Sequence, residues 1–393
     1  MTIANRPRFT GRSVVLFRED AVTEGLQMLA GMASTRSTDG ITSYENIGVA
    51  VVDAPPEQIN TSTRAIGESP ILSVEPERYV YPIVDVPATR KVKPQADFNE
   101  SQTTWGLQET GVADLDTSIS GIGIKVAVID TGLDFTHPDF QNRKIVSKSF
   151  VDDDVQDVGG HGTHCAGTAC GSLNPSELPR YGVAYDAELY VGKVFPNQPR
   201  PGDDFIYATD ADIIQAMEWA IASGCQIVSM SLGYCVGPGD AYSRIYEAVA
   251  RRALNRGTLI IAAAGNESAR SQGDIAPVGG PANCPSIMAV AAIDSDLQVA
   301  DFSCGGINPE GGEINIAAPG VDVYSSIPMP NKYARWDGTS MAAPHVAGIA
   351  ALTAQVTGLR GQELWDAVIQ NARNIKLPAR DVGAGLVQAP SQK

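Results

Sequence analysis

From Lys125 onward the chain repeats one pattern, a short apolar run rich in β-branched residues followed by a longer stretch with helical spacing. The runs at 125–130, 189–195, 226–231, 258–264, 286–292 and 314–318 have the length and continuous hydrophobicity of strands buried on both faces. Helices are expected at 210–223, 243–255 and 340–357. Parallel strands need crossover connections, so this alternation implies an α/β fold, a mostly parallel sheet covered by helices on both faces. Ligands of such sheets sit beyond the carboxyl ends of the strands, which directs attention to the residues that end each run.

Those ends carry chemistry. The run at 125–130 closes on Asp130-Thr131-Gly132, the run at 226–231 on Ser231-Leu232-Gly233, and the run at 258–264 on Gly265-Asn266. Gly160-His161-Gly162-Thr163-His164-Cys165-Ala166-Gly167 sets an imidazole between glycines ahead of a small-residue stretch suited to a tightly packed helix. Gly338-Thr339-Ser340-Met341-Ala342-Ala343-Pro344 sets a serine at the mouth of the last apolar helix. A serine hydroxyl is a weak nucleophile at neutral pH and needs a base, which in turn needs an orienting carboxylate. Taken singly, Asp130 reads as a strand terminator, Asn266 as a turn residue and Ser340 as a helix cap. Taken together and in the order Asp130, His161, Ser340, they read as a nucleophilic site.

With these motifs, the chain resembles the subtilisin-like serine peptidases from about Trp105 to Ala389. The resemblance implies Ser340 as nucleophile, His161 as general base and Asp130 as its orienting partner. It implies Asn266 as an oxyanion donor beside the Ser340 N–H at a helix N-terminus. Ser231, Leu232 and Gly233 are expected to offer backbone groups to an extended peptide. Ala264 and Gly265 are expected to wall the pocket for the residue before the cut, with Gly279 near its floor. No cofactor is expected for catalysis. Calcium is the family's usual stabilising ion, and Asp139 in His137-Pro138-Asp139 matches a frequent ligand position. The segment 173–179 lacks the asparagine-rich loop that would supply the rest, so a structural calcium is compatible with the sequence but not implied by it.

The first 83 residues have a different rhythm. Strands are expected at 13–17, 46–52 and 71–83, with helices at 21–33 and 56–67, a small α+β unit of ferredoxin-like β-α-β-β-α-β type with one strand still to be found. Its end, Val74-Glu75-Pro76-Glu77-Arg78-Tyr79-Val80-Tyr81-Pro82, is similar to the last strand of inhibitor-like propeptides, which implies a tail lying in the active cleft. The other reading of the unit is a permanent accessory domain. The division expected is therefore 1–83 propeptide, 84–100 linker and 101–393 catalytic domain. The linker is rich in proline and charge and carries Arg90-Lys91-Val92-Lys93, so self-cleavage is expected within it. Asp152, Asp153, Asp154 and Asp157 before His161, and Asp203, Asp204 and Asp210 before a helix near the cleft, raise the expectation of basic substrate residues.

Composition removes several classes of function. A formal charge of −16 repels nucleic acid, and no apolar run is long enough to span a membrane. Six cysteines in 393 residues are too few for a disulfide-built scaffold, although Cys284 and Cys304 flank a strand and could pair. Cys165 is expected as buried filler, and His137, His164 and His345 as packing residues, since no zinc-binding spacing appears. No apolar signal core follows Met1, which is compatible with a cytoplasmic protein or with a secreted one whose leader was removed. The expectation is a monomeric endopeptidase made as a self-inhibited zymogen acting on peptide or protein substrates. A transpeptidase or macrocyclase using the same acyl-enzyme, and a non-catalytic peptide-binding relative, are the alternatives.

Overall fold

A computed structural model describes residues 8–33, 40–63, 69–83, 98–141 and 143–391. Its larger part is built on seven parallel strands: β5 (Lys125–Asp130), β6 (Val146–Ser149), β7 (Glu188–Lys193), β9 (Ile227–Met230), β11 (Leu259–Ala263), β12 (Met288–Ile293) and β13 (Ile316–Pro319). Their order is β13-β12-β11-β9-β5-β7-β6, so the strand sequence reverses at β5. A crevice opens outside the carboxyl ends of the strands at such a point. Helices cover both faces. α4 (His161–Cys170) and α7 (Thr339–Thr357) pack on each other and on the sheet, while α5 (Asp210–Ala222) crosses β5 and β7 and α6 (Arg244–Asn255) crosses β11. α7 comes close to a neighbour at Gly348, where a Cβ would lie 2.5 Å from Cβ of Val183.

The described residues before Val84 form a second layer. β1 (Phe9–Phe17), α1 (Val22–Ala33), β2 (Ile41–Tyr44), β3 (Val49–Val52), α2 (Pro56–Thr63) and β4 (Ile71–Pro82) give an antiparallel sheet in the order β4-β1-β3-β2. Alternation along β1 assigns its two faces: Val15 and Phe17 pack under α1 and α2 with Leu29 and Ile59, whereas Val14 and Leu16 join the core of the larger part. β2 is the strand the sequence left unread. The expected strand at 46–52 begins only at Val49, because Glu45–Ile47 is a 3₁₀ turn closed by Gly48 at φ +61°. Residues 64–67 of the expected second helix lie outside the described residues.

Charge and helix geometry fix the seam between the two layers. Glu75 on β4 accepts from Arg244 N (2.8 Å), Ile245 N and Ser243 Oγ, which caps α6. Glu77 accepts from Ala211 N at the start of α5 and pairs with Arg12 at 2.7 Å. Carboxylates at these two helix N-termini satisfy backbone donors that have no intrahelical partner. Asp210 receives Arg78 N at 2.8 Å and Tyr246 Oη at 2.9 Å, and burial raises its pKa to about 6 against the opposing pull of Arg78.

In the other direction Arg252 of α6, 7% exposed, reaches into the small sheet. It donates to Phe17 O at 2.9 Å, to Ile47 O, and to Glu19 Oε1 at 2.7 Å. Any side chain at Gly48 would strike it, since a Cβ there lies 2.5 Å from Nη1.

β4 continues past this seam. Its end runs antiparallel between two short strands, β8 (Ala208–Thr209) paired with Tyr79 and Val80, and β10 (Leu232–Gly233) paired with Tyr81 and Pro82.

Arg252→Ala is expected to weaken docking of the small sheet by about 1–3 kcal/mol, the cost of leaving buried carbonyls without donors. Hydrogen exchange in β1 and β3 reads this as faster opening, with Arg252→Lys intermediate because an ammonium lacks the guanidinium fork. Unchanged exchange in Arg252→Ala removes Arg252 as an anchor.

Candidate active site

Asp130 ends β5, buried, with Oδ1 accepting from His161 Nδ1–H at 2.7 Å and from Thr131 N–H at 2.7 Å. Its Oδ2 is buried and has no hydrogen-bond partner among the described residues. His161 opens α4, and the glycines around it allow the approach. A Cβ on Gly162 would lie 2.4 Å from Gly132 O, and one on Gly132, at φ +108°, would lie 2.2 Å from Val155 O. These contacts leave no room for a side chain at either position.

Ser340 is the second residue of α7, where N–H groups have no intrahelical acceptor. Pro344 lies one turn further on, and its missing N–H would have bonded to Ser340 O. Side chains from two other elements take up that carbonyl instead: Ser231 Oγ at 2.8 Å and Cys165 Sγ at 3.5 Å. The turn that carries Ser340 is thereby tied to the end of β9 and to α4. Ser340 Oγ donates to Ile83 O at 2.7 Å, and His161 Nε2 lies 3.2 Å from the same oxygen.

Asn266 follows β11, and its Oδ1 accepts from Thr339 N (2.9 Å) and Thr339 Oγ1 (2.8 Å), which orients the amide. Ile83 N donates to Ser231 O at 3.2 Å, and Ile83 Cδ1 lies 3.5 Å from the Cβ position of Gly233. Gly279 N donates to Ala264 O, and Gly265 N to Thr339 Oγ1, which ties Ala264, Gly265 and Gly279 to the residue before Ser340. Leu232 pairs with Pro82. Asp130, His161, Ser340, Asn266 and the expected substrate-binding residues Ser231, Leu232, Gly233, Ala264, Gly265 and Gly279 lie together at the carboxyl edge of the sheet. Ile83 and Thr339 belong with them and were not singled out, because their roles depend on distant chain segments.

Other expectations change. Cys284 and Cys304 are both free and buried; Cys284 Sγ donates to Ser243 O and Cys304 Sγ to Glu267 Oε2, so no bridge joins them. Asp157 and Asp210 are buried and engaged by protein groups, leaving neither acidic loop as a uniformly solvent-facing patch. Arg90-Lys91-Val92-Lys93 lies outside the described residues. The histidines other than His161 do pack: His164 stacks on Trp336 with ring centres 4.7 Å apart, and burial lowers its pKa to about 3 and that of His345 to about 4. No helix among the described residues is long and apolar enough to cross a membrane.

Calcium can be tested at Asp139. Its Oδ1 accepts from Ser176 N at 2.7 Å, and its Oδ2 from Tyr181 Oη at 2.6 Å and Tyr333 Oη at 2.9 Å. Burial holds the Tyr181 phenol well above its ordinary pKa, so it stays a donor. A hard cation needs lone pairs directed at it, whereas here the carboxylate's lone pairs face O–H and N–H groups. The residues around Asp139 do not fit calcium.

A carboxylate, an imidazole and a serine at the open edge of a doubly covered parallel sheet form an arrangement suited to acyl transfer. The sequence model of the Subtilase family matches residues 121–385. The chain belongs to the subtilase family. It is 41% identical over 236 residues to Subtilisin E of Bacillus subtilis, a match covering 59% of this chain and 56% of that protein. It is 36% identical over 306 residues to a Thermostable alkaline protease of Halalkalibacterium halodurans, 77% of each chain. In fold it is similar to fervidolysin of Fervidobacterium pennivorans, a keratinolytic enzyme related to subtilisin, with a TM-score of 0.74 at 22% identity over 98% of this chain and 61% of that one.

Chelation with EDTA is expected to leave the melting temperature unchanged, while Tyr181→Phe lowers stability by about 1–3 kcal/mol through the lost donor to a buried carboxylate. A large chelation-induced drop in the wild type contradicts the tyrosine cage as the stabiliser of this region.

Proposed function

We propose that this chain is a serine endopeptidase made as a self-inhibited zymogen that cuts its own Ile83–Val84 bond. The observation that carries the reading is the carbonyl oxygen of Ile83, shared between Ser340 Oγ and His161 Nε2 at the end of a strand held on both edges. Residues 1–83 act in this reading as an inhibitor-like propeptide, 84–100 as the linker and 101–393 as the catalytic domain.

Ser340 Oγ attacks the carbonyl carbon as His161 Nε2 takes its proton. Asp130 holds the ring through Nδ1 and stabilises the imidazolium. The oxyanion is received by the Asn266 amide and the Ser340 N–H, both on preorganised elements. Collapse expels the amine with the proton from His161, and water then releases the acyl group by the same route. The relatives named above, a subtilisin and an alkaline protease, support this chemistry.

The tail also suggests the substrate. Val80, Pro82 and Ile83 are buried, while Tyr79 and Tyr81 are half-buried. A peptide laid in the groove is selected by the side chains it buries there. The enzyme is therefore expected to favour apolar residues immediately before the cut and three residues earlier, rather than the basic residues that the acidic loops suggested.

Intact mass measured over time tests the reading. Wild type is expected to divide after Ile83, Ser340→Ala to stay whole, and Asn266→Ala to cleave slower by about 10²–10³, the loss known for one such donor in subtilisin. A wild-type cut at Arg90-Lys91-Val92-Lys93 removes Ile83 from the reacting position, and cleavage of Ser340→Ala at the wild-type rate removes Ser340 as nucleophile.

A further inference from the structure

Two buried charged side chains, neither of them acid, base nor nucleophile, join the halves of the site. Asp157, 1% exposed, accepts four hydrogen bonds. Its Oδ1 takes Thr131 Oγ1 (3.0 Å) and Gly160 N (2.9 Å); its Oδ2 takes Thr163 N (2.9 Å) and Thr163 Oγ1 (2.7 Å). Gly162 N in turn donates to Thr131 Oγ1 at 2.7 Å. Asp157 thus caps the helix that begins with His161 while gripping the residue that follows Asp130.

Lys193 works from the other side. It is 0% exposed, stands opposite Asp130 in the β5–β7 register, and donates from Nζ to Thr131 O (2.5 Å), Asn197 Oδ1 (2.9 Å) and Gln156 O (3.4 Å). Thr131 is therefore held by its hydroxyl through Asp157 and by its carbonyl through Lys193. Burial lowers the Lys193 pKa, while Asp157, Asp153, Asp130 and Asp154 draw it the other way, so the ammonium sits in a field of carboxylates.

We propose that Asp157 and Lys193 are positioning residues for the acyl transfer. Together they clamp the Asp130-Thr131 turn against the first turn of α4, and they set with opposite sign the potential in which His161 gains and loses its proton. The proposal rests on the peptidase reading.

A buried carboxylate near an imidazole favours imidazolium, and a buried ammonium disfavours it, with little screening by salt. The charged and titratable groups around His161 are Asp130 on β5, His164 and Cys165 on α4, Asp157 with Asp153 and Asp154 on the preceding loop, and Lys193 on β7. His345 on α7 lies beyond His164, with which it interacts electrostatically. His164 and His345 stay neutral across the working range, since burial holds their pKa values near 3 and 4. Deleting the Lys193 charge therefore raises the pH at which His161 loses its proton, and deleting the Asp157 charge lowers it.

The test is the acid limb of kcat/KM against pH for a peptide amide, using the processed chain. Lys193→Met is expected to move the limb up by about half a pH unit and Asp157→Asn to move it down by about as much. Lys193→Arg keeps the charge and stays with the wild type. Thr131→Val breaks the clamp without changing charge and lowers kcat with the limb unmoved.

The limb's position does not depend on how much protein is folded. For a variant that gives no active enzyme, the His161 imidazole is titrated by NMR in the full chain carrying Ser340→Ala, where only four histidines contribute. Limbs or titrations that do not move, or that move the same way in both charge-deleting variants, overturn the proposal. A wild type that hydrolyses nothing overturns the peptidase reading, and the NMR titration still decides the electrostatic one.

Discussion

Everything in the site depends on one close backbone approach, the first turn of α4 lying against the turn that leaves β5. Only that contact brings an imidazole on a helix within 2.7 Å of a carboxylate on a strand. It is permitted by missing side chains, since Gly132 and Gly162 both face backbone where a Cβ would stand. It is held by Thr131, whose hydroxyl and carbonyl are both engaged. The parallel sheet supplies the stiffness: β5 is paired on both sides, so Asp130 projects from a strand that cannot tilt to accommodate a looser fit.

The small sheet of residues 8–83 uses the same larger part as a template. It supplies carboxylates to two helix N-termini and an apolar strand face to the shared core, and it receives one deeply inserted arginine in return. These contacts lie away from the reacting groups, yet they aim β4 into the crevice. Docking at the helices and occupancy of the cleft are therefore two ends of one strand, and the register set by Glu75 and Glu77 determines which carbonyl arrives at Ser340.

Much of this was legible in the sequence. Continuous apolar runs ending in Asp130, Ser231 and Gly265 located both the strands and the edge where they converge, because fully buried parallel strands leave a strong signature. β6 and the hairpin of β14 (Val323–Ser326) and β15 (Tyr333–Trp336) escaped notice because they are short: β6 and β15 are partly exposed, and β14, although mostly buried, ends in two serines rather than an apolar run. Asp157 reads in the sequence as one of an acidic loop facing basic substrate residues; its burial follows from hydrogen bonds to Thr131, Gly160 and Thr163 that only the fold assembles. Lys193 hides in a strand as an apparent polar end, and its burial follows only from the carboxylates that the fold gathers around it. Calcium was left open by the sequence, since what replaces it at Asp139 is a pair of tyrosines that the fold brings together from segments far apart in the chain.

The end of β4 is laddered on both edges, by β8 on one side and β10 on the other. A chain seated there must spend the backbone groups of the stretch from Tyr79 to Ile83 on the groove, so none remain for its own folded partners. Helices and interior strands are inadmissible until they open locally. In the proposed peptidase, selection among polypeptides at this groove is governed as much by the opening free energy of each segment, lowest at termini and loop tips, as by the side chains it carries.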